Sequence, residues 1–297
     1  MDLIDRKLLN LIQGTFPLAD QPYRELGEEL GITEDETIHR LSELKRQNVL
    51  RQISAIFDTR RLGYKTTLVA MAFEPENLNA GALEINKHPG VSHNYAREGS
   101  YFNLWFTLAV PPVHVLESSV VSSGGDTQSL IFRIMPTIRF FKIGVNFDMV
   151  KEKGSSFNYN PDGNGVGETS ETATEAAKDW NKAQKLSDLD KITIRELQED
   201  LALESRPFDG MAKTLGITTQ ELFQRAADFQ ERRMMRRYSA VLHHRRSGFR
   251  ANAMIVWKVP PERSEEVGMT MAQHPAVTHC YEPVSYTHLT LPTNREV

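Results

Sequence analysis

Of 297 residues only one, Cys280, is a cysteine, which excludes an internal disulfide and any metal site made of cysteine alone. No apolar run approaches the ~20 residues that a membrane-spanning helix needs. The opening MDLIDRKLLN is interrupted by charge at once, so it does not read as a secretory signal, and a cytoplasmic protein is expected. Positive charge is in short supply as well. The 35 Lys and Arg stand against 39 Asp and Glu, a formal net charge of -4, which gives no global attraction to nucleic acid. No HExxH, P-loop or GxGxxG string occurs, so any chemistry has to come from side chains that no short motif announces.

What the chain does contain is itself, twice. LGIT stands at Leu30 to Thr33 and again at Leu215 to Thr218, an offset of 185. The same offset carries RQISAIFDTRRLGY (Arg51 to Tyr64) onto RRYSAVLHHRRSGF (Arg236 to Phe249), with Ser54 on Ser239 and Arg60 and Arg61 on Arg245 and Arg246. One inserted residue then shifts the offset to 186, which places HPGVSHNY (His88 to Tyr95) on HPAVTHCY (His274 to Tyr281). This is a tandem duplication. Between the copies, Lys153 to Lys178 is rich in Gly, Ser, Thr, Asn and Glu and has little to bury, which predicts a flexible linker.

In the first copy DRKLLNLIQ, PYRELGEELGIT and TEDETIHRLSELKRQ carry apolar residues at helical spacing, and the strand VLRQISAIFD follows. Thr33 suits an N-cap and Glu36, three residues on, completes a capping box. Three helices and a strand spell a winged helix-turn-helix. The remainder reads as strand 65–73, helix 77–87, strands 91–97 and 102–110, helix 112–122 and strand 129–143. That order, βαββαβ, is ferredoxin-like. The expected fold is therefore α+β, a tandem repeat of winged helix-turn-helix plus ferredoxin-like domain with the second copy incomplete. Its domains are 1–60, 61–150, a linker at 151–185, 186–245, and a partial domain at 246–283.

Candidate site residues follow from strand alternation. His93, Tyr95 and Arg97 share one strand face, where a plain strand would carry Thr or Lys. His279 and Tyr281 recur at the same place in the second copy, although duplication copies structural histidines too. Arg60 and Arg61, with Arg245 and Arg246, are either a solvated basic pair or an anion clamp, since guanidinium groups hold carboxylates bidentately. His243 and His244 stand beside the second pair. Tyr101, Asn103 and Trp105 share a face that could floor a flat ligand with a hydrogen-bonding rim, while Phe106 reads as core. The helix that would read DNA opens with Glu34, Asp35 and Glu36, and its counterpart carries Glu221, Asp228 and Glu231. Neither is a DNA-reading surface; a fold kept for packing and dimerisation fits better.

A winged helix ahead of a ferredoxin-like domain resembles the Lrp/AsnC family. More specifically, HPGVSHNYAREGSYFNLWFTLAVPP with IRFFKIGVNFDM looks like the first subunit type of the sirohaem decarboxylases, and SAVLHHRRSGFRANAMIVWKVPP with HPAVTHCYE looks like the second. The resemblance implies heterodimers or fused chains that remove CO2 from two acetate groups of sirohaem, giving didecarboxysirohaem for haem or d-type haem synthesis. It implies catalytic roles for His93, Tyr95, His279 and Tyr281. Substrate binding would fall to Arg60, Arg61, Arg97, Tyr101, Asn103, Trp105, His244, Arg245 and Arg246. The imidazoles could donate protons or ligate the iron. No cofactor is implied beyond the iron of the substrate, and no protein metal site. Sirohaem is the expected partner, the two copies pairing within the chain or as a homo-oligomer, with neither membrane nor DNA. A DNA-binding regulator of the Lrp/AsnC type is the alternative.

The ending PVSYTHLTLPTNREV matches nothing in the first copy, where GSYFNLWFTLAVPP continues the fold, and residues 284–297 read as a non-native tail. A ferredoxin-like sheet short of two strands and a helix leaves an edge and a face uncovered. The 297-residue chain is expected to aggregate or to lack turnover on size-exclusion chromatography and assay, whereas a chain continued in the pattern of the first copy is monodisperse and active; equal behaviour of the two would refute the truncation.

Overall fold

In the computed structural model, residues 1–111, 129–143, 146–150, 153–155, 182–243, 246, 255, 257–274, 277 and 279–283 are described. The helix expected at 112–122, His244, Arg245, most of the linker and the tail lie outside them. The first copy runs α1 (Leu3–Gly14), α2 (Pro22–Leu30), α3 (Glu34–Arg46), β1 (Leu50–Phe57), β2 (Lys65–Ala72), α4 (Leu78–Ile85), β3 (Val91–Ala96), β4 (Leu104–Val110) and β5 (Ile131–Ile143). Two short strands, β6 (Asn146–Asp148) and β7 (Lys153–Ser155), pair with each other where the linker was expected to begin. The second copy contributes α5 (Asp188–Leu197), α6 (Pro207–Leu215), α7 (Thr219–Glu231), β8 (Met235–Leu242), α8 (Ser264–Gln273) and β9 (His279–Pro283).

The chain divides into two units. The first comprises Met1–Asp58, Lys142–Thr174 and Gln184–Cys280 and holds both helix-turn-helix segments. LGIT makes the turn between their second and third helices. Gly31 and Gly216 close α2 and α6 at φ 71° and 68°, a left-handed conformation that glycine adopts without steric cost. Thr33 and Thr218 then cap the next helix by accepting from the backbone N–H of Glu36 and Glu221. The reciprocal half of the capping box is present only in the second copy, where Glu221 takes the Thr218 N–H at 2.7 Å. In the first copy Glu36 accepts instead from Arg40 Nε at 2.9 Å, because a guanidinium is a stronger donor than a backbone amide.

Among the described residues the wing strand pairs with the other copy. β1 pairs antiparallel with β8, and the register sets Ser54 opposite Ser239, Ile53 opposite Ala240 and Ala55 opposite Tyr238. Ser54 and Ser239 are repeat equivalents, so the ribbon has a local two-fold axis, as an isologous dimer interface does. The ends obey the same symmetry: Asp58 N–H donates to Met234 O and His243 N–H to Val49 O. Aromatic side chains from both copies interlock beneath it, with Tyr238 meeting Phe16 at 6.0 Å and Phe208 at 5.5 Å between ring centroids. Tyr23 OH reaches across to Ala202 O at 2.7 Å.

The second unit, Thr59–Phe141 with Glu175–Ala183 and Tyr281–Val297, is built on a sheet of order β3-β4-β2-β5-β9. The outermost strand belongs to the second copy. One face packs against α4 through Val69, Met71, Leu104, Phe106 and Leu108, all buried. The other gathers Ala70, Ala72, Phe102, Trp105 and Met135. Gly90 leads into β3 so close to the Ala109 carbonyl that a Cβ would lie 2.0 Å from its oxygen, so only glycine fits there. Because Phe208 is 1% exposed and sits in the inter-copy aromatic set, Phe208→Ala should cost about 3–5 kcal/mol in urea unfolding; a loss below 1 kcal/mol would mean the set does not join the copies.

Candidate active site

The face-sharing predicted for His93, Tyr95 and Arg97 depends on how β3 meets β4. His93 lies opposite Thr107 and Tyr95 opposite Trp105. Arg97 follows the strand's last residue, and its N–H donates to Asn103 O at 2.8 Å, which carries the hairpin one step further. The Arg97 guanidinium lies over the Tyr95 ring, 5.5 Å from its centroid, and its Nε–H is buried with no hydrogen bond. Tyr95 is 40% exposed.

Tyr281, the repeat equivalent of Tyr95, lies on β9 at the other edge of the sheet from β3 and feels the charge of the same guanidinium. Burial pushes its phenol above the ordinary value, and Arg97 opposes that by stabilising the phenolate. One arginine of the first copy therefore packs on Tyr95 and acts on Tyr281 through its charge. The second copy has no such arginine of its own, since Pro283 stands at the position equivalent to Arg97. His279 occupies β9 two residues before Tyr281, as His93 precedes Tyr95, and is exposed.

The remaining predicted residues are placed differently. Trp105 is 6% exposed and donates its indole N–H to Phe102 O at 2.7 Å, within the apolar cluster. Asn103 commits its amide to the backbone of Phe73, accepting from the N–H at 2.9 Å and donating to the carbonyl at 2.8 Å. It thereby holds the entry to β4 against the end of β2. Tyr101 is exposed and stacks edge-on against Phe102. Arg60 and Arg61 lie in the turn after β1 and are both buried, not a solvated pair. Arg246 is exposed, in the first unit.

A further cation on this sheet face escaped the sequence reading. Arg133 of β5 stands opposite Ala70, which stands opposite Trp105, so Tyr95, Trp105, Ala70 and Arg133 form one row across four strands. The signal was available in IFRIM, where Arg133 shares the parity of Ile131 and Met135. No cluster of three or more His, Cys, Asp or Glu able to hold a metal ion occurs among the described residues.

Arg40, Lys45, Arg46, Arg225 and Arg232 of the helix-turn-helix segments are each paired with carboxylates. Arg40 is gripped by Asp2, Asp5 and Glu36, with Nη1 distances of 2.8 and 2.9 Å to the aspartates. Lys45 pairs with Asp200 and Arg46 with Glu43, whose carboxyl is held down at about 2 by that contact and by Gln47. In the second copy Arg225 binds Asp190 and Arg232 binds Asp228. These ion pairs compete directly with any phosphate contact.

Comparison with known proteins agrees with the duplication. The family described as "Siroheme decarboxylase NirDL-like HTH domain" matches residues 5–51 and 190–236, and "AsnC-like ligand binding domain" matches residues 61–142 and 246–291. The siroheme decarboxylase of Hydrogenobacter thermophilus is 36% identical over 283 residues, covering 93% of this chain and 77% of the relative. The siroheme decarboxylase alpha subunit of Desulfovibrio desulfuricans is 40% identical over 151 residues, half of this chain and 85% of its own. A crystal structure of the siroheme decarboxylase NirDL in co-complex with an iron-uroporphyrin III analogue matches at 30% identity and a TM-score of 0.66, covering 96% of this chain and 78% of that one. With both copies matched, and a relative above 30% identity aligned over most of its length, the chain belongs to the sirohaem decarboxylase family.

Proposed function

We propose that the chain is a carboxy-lyase of the cytoplasm that removes CO2 from two acetate side chains of sirohaem, giving didecarboxysirohaem for haem or d-type haem synthesis. The observation that carries this reading is Arg97, placed over the Tyr95 ring with a buried Nε–H that makes no hydrogen bond, in a chain whose family acts on a carboxylate-rich macrocycle. The co-complex of a relative with an iron-uroporphyrin III analogue supports a flat tetrapyrrole as the ligand class.

The chemistry asks little of the protein beyond binding and one proton. Breaking the bond between the side-chain CH2 and its carboxylate leaves the electron pair on that carbon, where the conjugated ring can delocalise it. A proton delivered there makes the methyl group, so each CO2 lost consumes one proton and no redox partner. Tyr281 is suited to deliver it: burial keeps the phenol protonated, and Arg97 stabilises the phenolate left behind. His93, His279 and Tyr95 are the other candidate donors, or, for the imidazoles, ligands to the substrate iron. No other cofactor is required. Arg97 Nε–H is a buried donor that a substrate carboxylate would satisfy. Arg60 and Arg61, in the same unit as Arg97, supply further cations, with Tyr101 as a flanking contact, and Asn103 supports β4. The two copies act as a pair within one chain, which can associate further into a homo-oligomer.

Anaerobic incubation of the chain continued in the pattern of the first copy with sirohaem should yield product lighter by one and then two CO2. A spectral change with unchanged mass would mean a tetrapyrrole carrier instead. The presence of two helix-turn-helix segments favours a second reading, a DNA-binding regulator of the Lrp/AsnC type, which a salt-dependent mobility shift on the gene's upstream DNA would support. The ion pairs of α3 and α7 predict no shift.

Tyr281→Phe should lower kcat by about 10²-fold or more with KM little changed, if the phenol is the donor. Activity that needs the protonated phenol is complete at neutral pH and is lost only as pH rises through a value above the ordinary 10.0. Arg97→Gln should weaken sirohaem binding by about 1.5–3 kcal/mol. It should also move the Tyr281 titration to still higher pH, because the group that opposes the shift is gone; phenolate absorbance difference spectra of Arg97→Gln and Arg97→Gln/Tyr281→Phe isolate that titration. An unchanged pH would show that the two do not interact.

A further inference from the structure

The helix and strand that carry each His–Tyr pair are repeat equivalents, α4 with α8 and β3 with β9, yet they are fastened differently. In the first copy a single amide does it: Asn94 Nδ2 donates to Ala82 O at 3.1 Å and to Asn86 Oδ1 at 3.0 Å. At the offset of 186 the second copy has Cys280, Gly268 and Ala272 in those three places, so both amides are lost. What remains is the Cys280 thiol donating to Gly268 O at 3.6 Å, a weak bond.

The missing fastening is supplied from the other copy. Lys142, near the end of β5, is 3% exposed and donates Nζ to Ala272 O at 2.8 Å and to His274 O at 3.1 Å. These carbonyls are at the C-terminus of α8, where the helix dipole and unpaired acceptors favour a cation. Burial lowers the Lys142 pKa while the Cys280 thiol beside it acts the other way. An ammonium is costly to bury, and this one joins β5, the neighbour of β9 in the sheet, to the end of α8. The residue equivalent to Asn86, Ala272, is one of the two it holds.

We propose that Lys142 is a positioning residue for the reaction: reaching from the first copy, it ties the end of α8 to β5, compensates for the lost Asn94–Asn86 tie and so steadies the adjoining β9, which carries His279 and Tyr281. The inference rests on Tyr281 acting at the site. Hydrogen exchange tests the tie, with β3, which keeps its own asparagine, as internal control. Lys142→Met should speed exchange of the 279–282 amides about tenfold and leave 91–96 unchanged. The same variant should lower kcat about tenfold with KM for sirohaem nearly constant. Lys142→Met/Ala272→Asn/Cys280→Asn, which rebuilds the first copy's amide pair, should restore both. Unchanged exchange at 279–282, or faster exchange with unchanged kcat, overturns the proposal. If Lys142→Met fails to fold, the triple variant decides: native exchange and turnover support the tie, and failure to recover them refutes it. A wild-type chain without decarboxylase activity would overturn the reading of the site, not the tie, which the exchange at 279–282 decides by itself.

Discussion

Antiparallel pairing of β1 with β8 is the constraint on which the rest depends. Each strand alone would be a solvated edge with unsatisfied backbone groups, and such an edge invites indiscriminate pairing. Joining them satisfies both and brings Ser54 against Ser239, which fixes the register of one copy on the other. The aromatic residues around Tyr238 then pack across the axis rather than within a copy. The second copy's helix-turn-helix is thus part of the first copy's core.

Charge divides the molecule by role. Around the helix-turn-helix segments nearly every cation discussed has a nearby carboxylate, and the most elaborate case, Arg40 among three acids, binds α3 to α1. Exposed pairs of this kind contribute little stability each, about 0–1 kcal/mol. Their larger effect is to neutralise a surface that would otherwise attract phosphate. On the sheet, Arg97 lies over Tyr95 with its buried Nε–H unbonded, which leaves that donor available to an incoming anion.

Much of this was legible in the sequence because it depends on local pattern. LGIT announced its glycine turn, the offset of 185 announced the duplication, and alternation placed Tyr95 beside Arg97. The features that were not legible depend on contacts distant along the chain. Nothing in Asn103 says that its amide will extend the backbone bonding of Phe73, and nothing in Glu36 says that Arg40 will outbid the helix N-terminus for it. That β9 would join the first copy's sheet could not be read from the second copy alone. Arg133 was readable by parity but lay in a strand whose neighbours were unknown, so its face had no meaning until β2 was placed beside β5.

The local two-fold axis has a consequence for how such a protein can change. In a homodimer every mutation is written twice and must be tolerated at both symmetric places at once. Here the two halves share one chain, so each position is free to drift alone: Arg97 has become Pro283 across the axis, Asn94 has become Cys280, and Asp58 has become His243, while Ser54 and Ser239, which face each other, are still the same residue. Fusion keeps the geometry of a symmetric pair and releases its sequence from symmetry, which lets one half lose a group that the other half can lend.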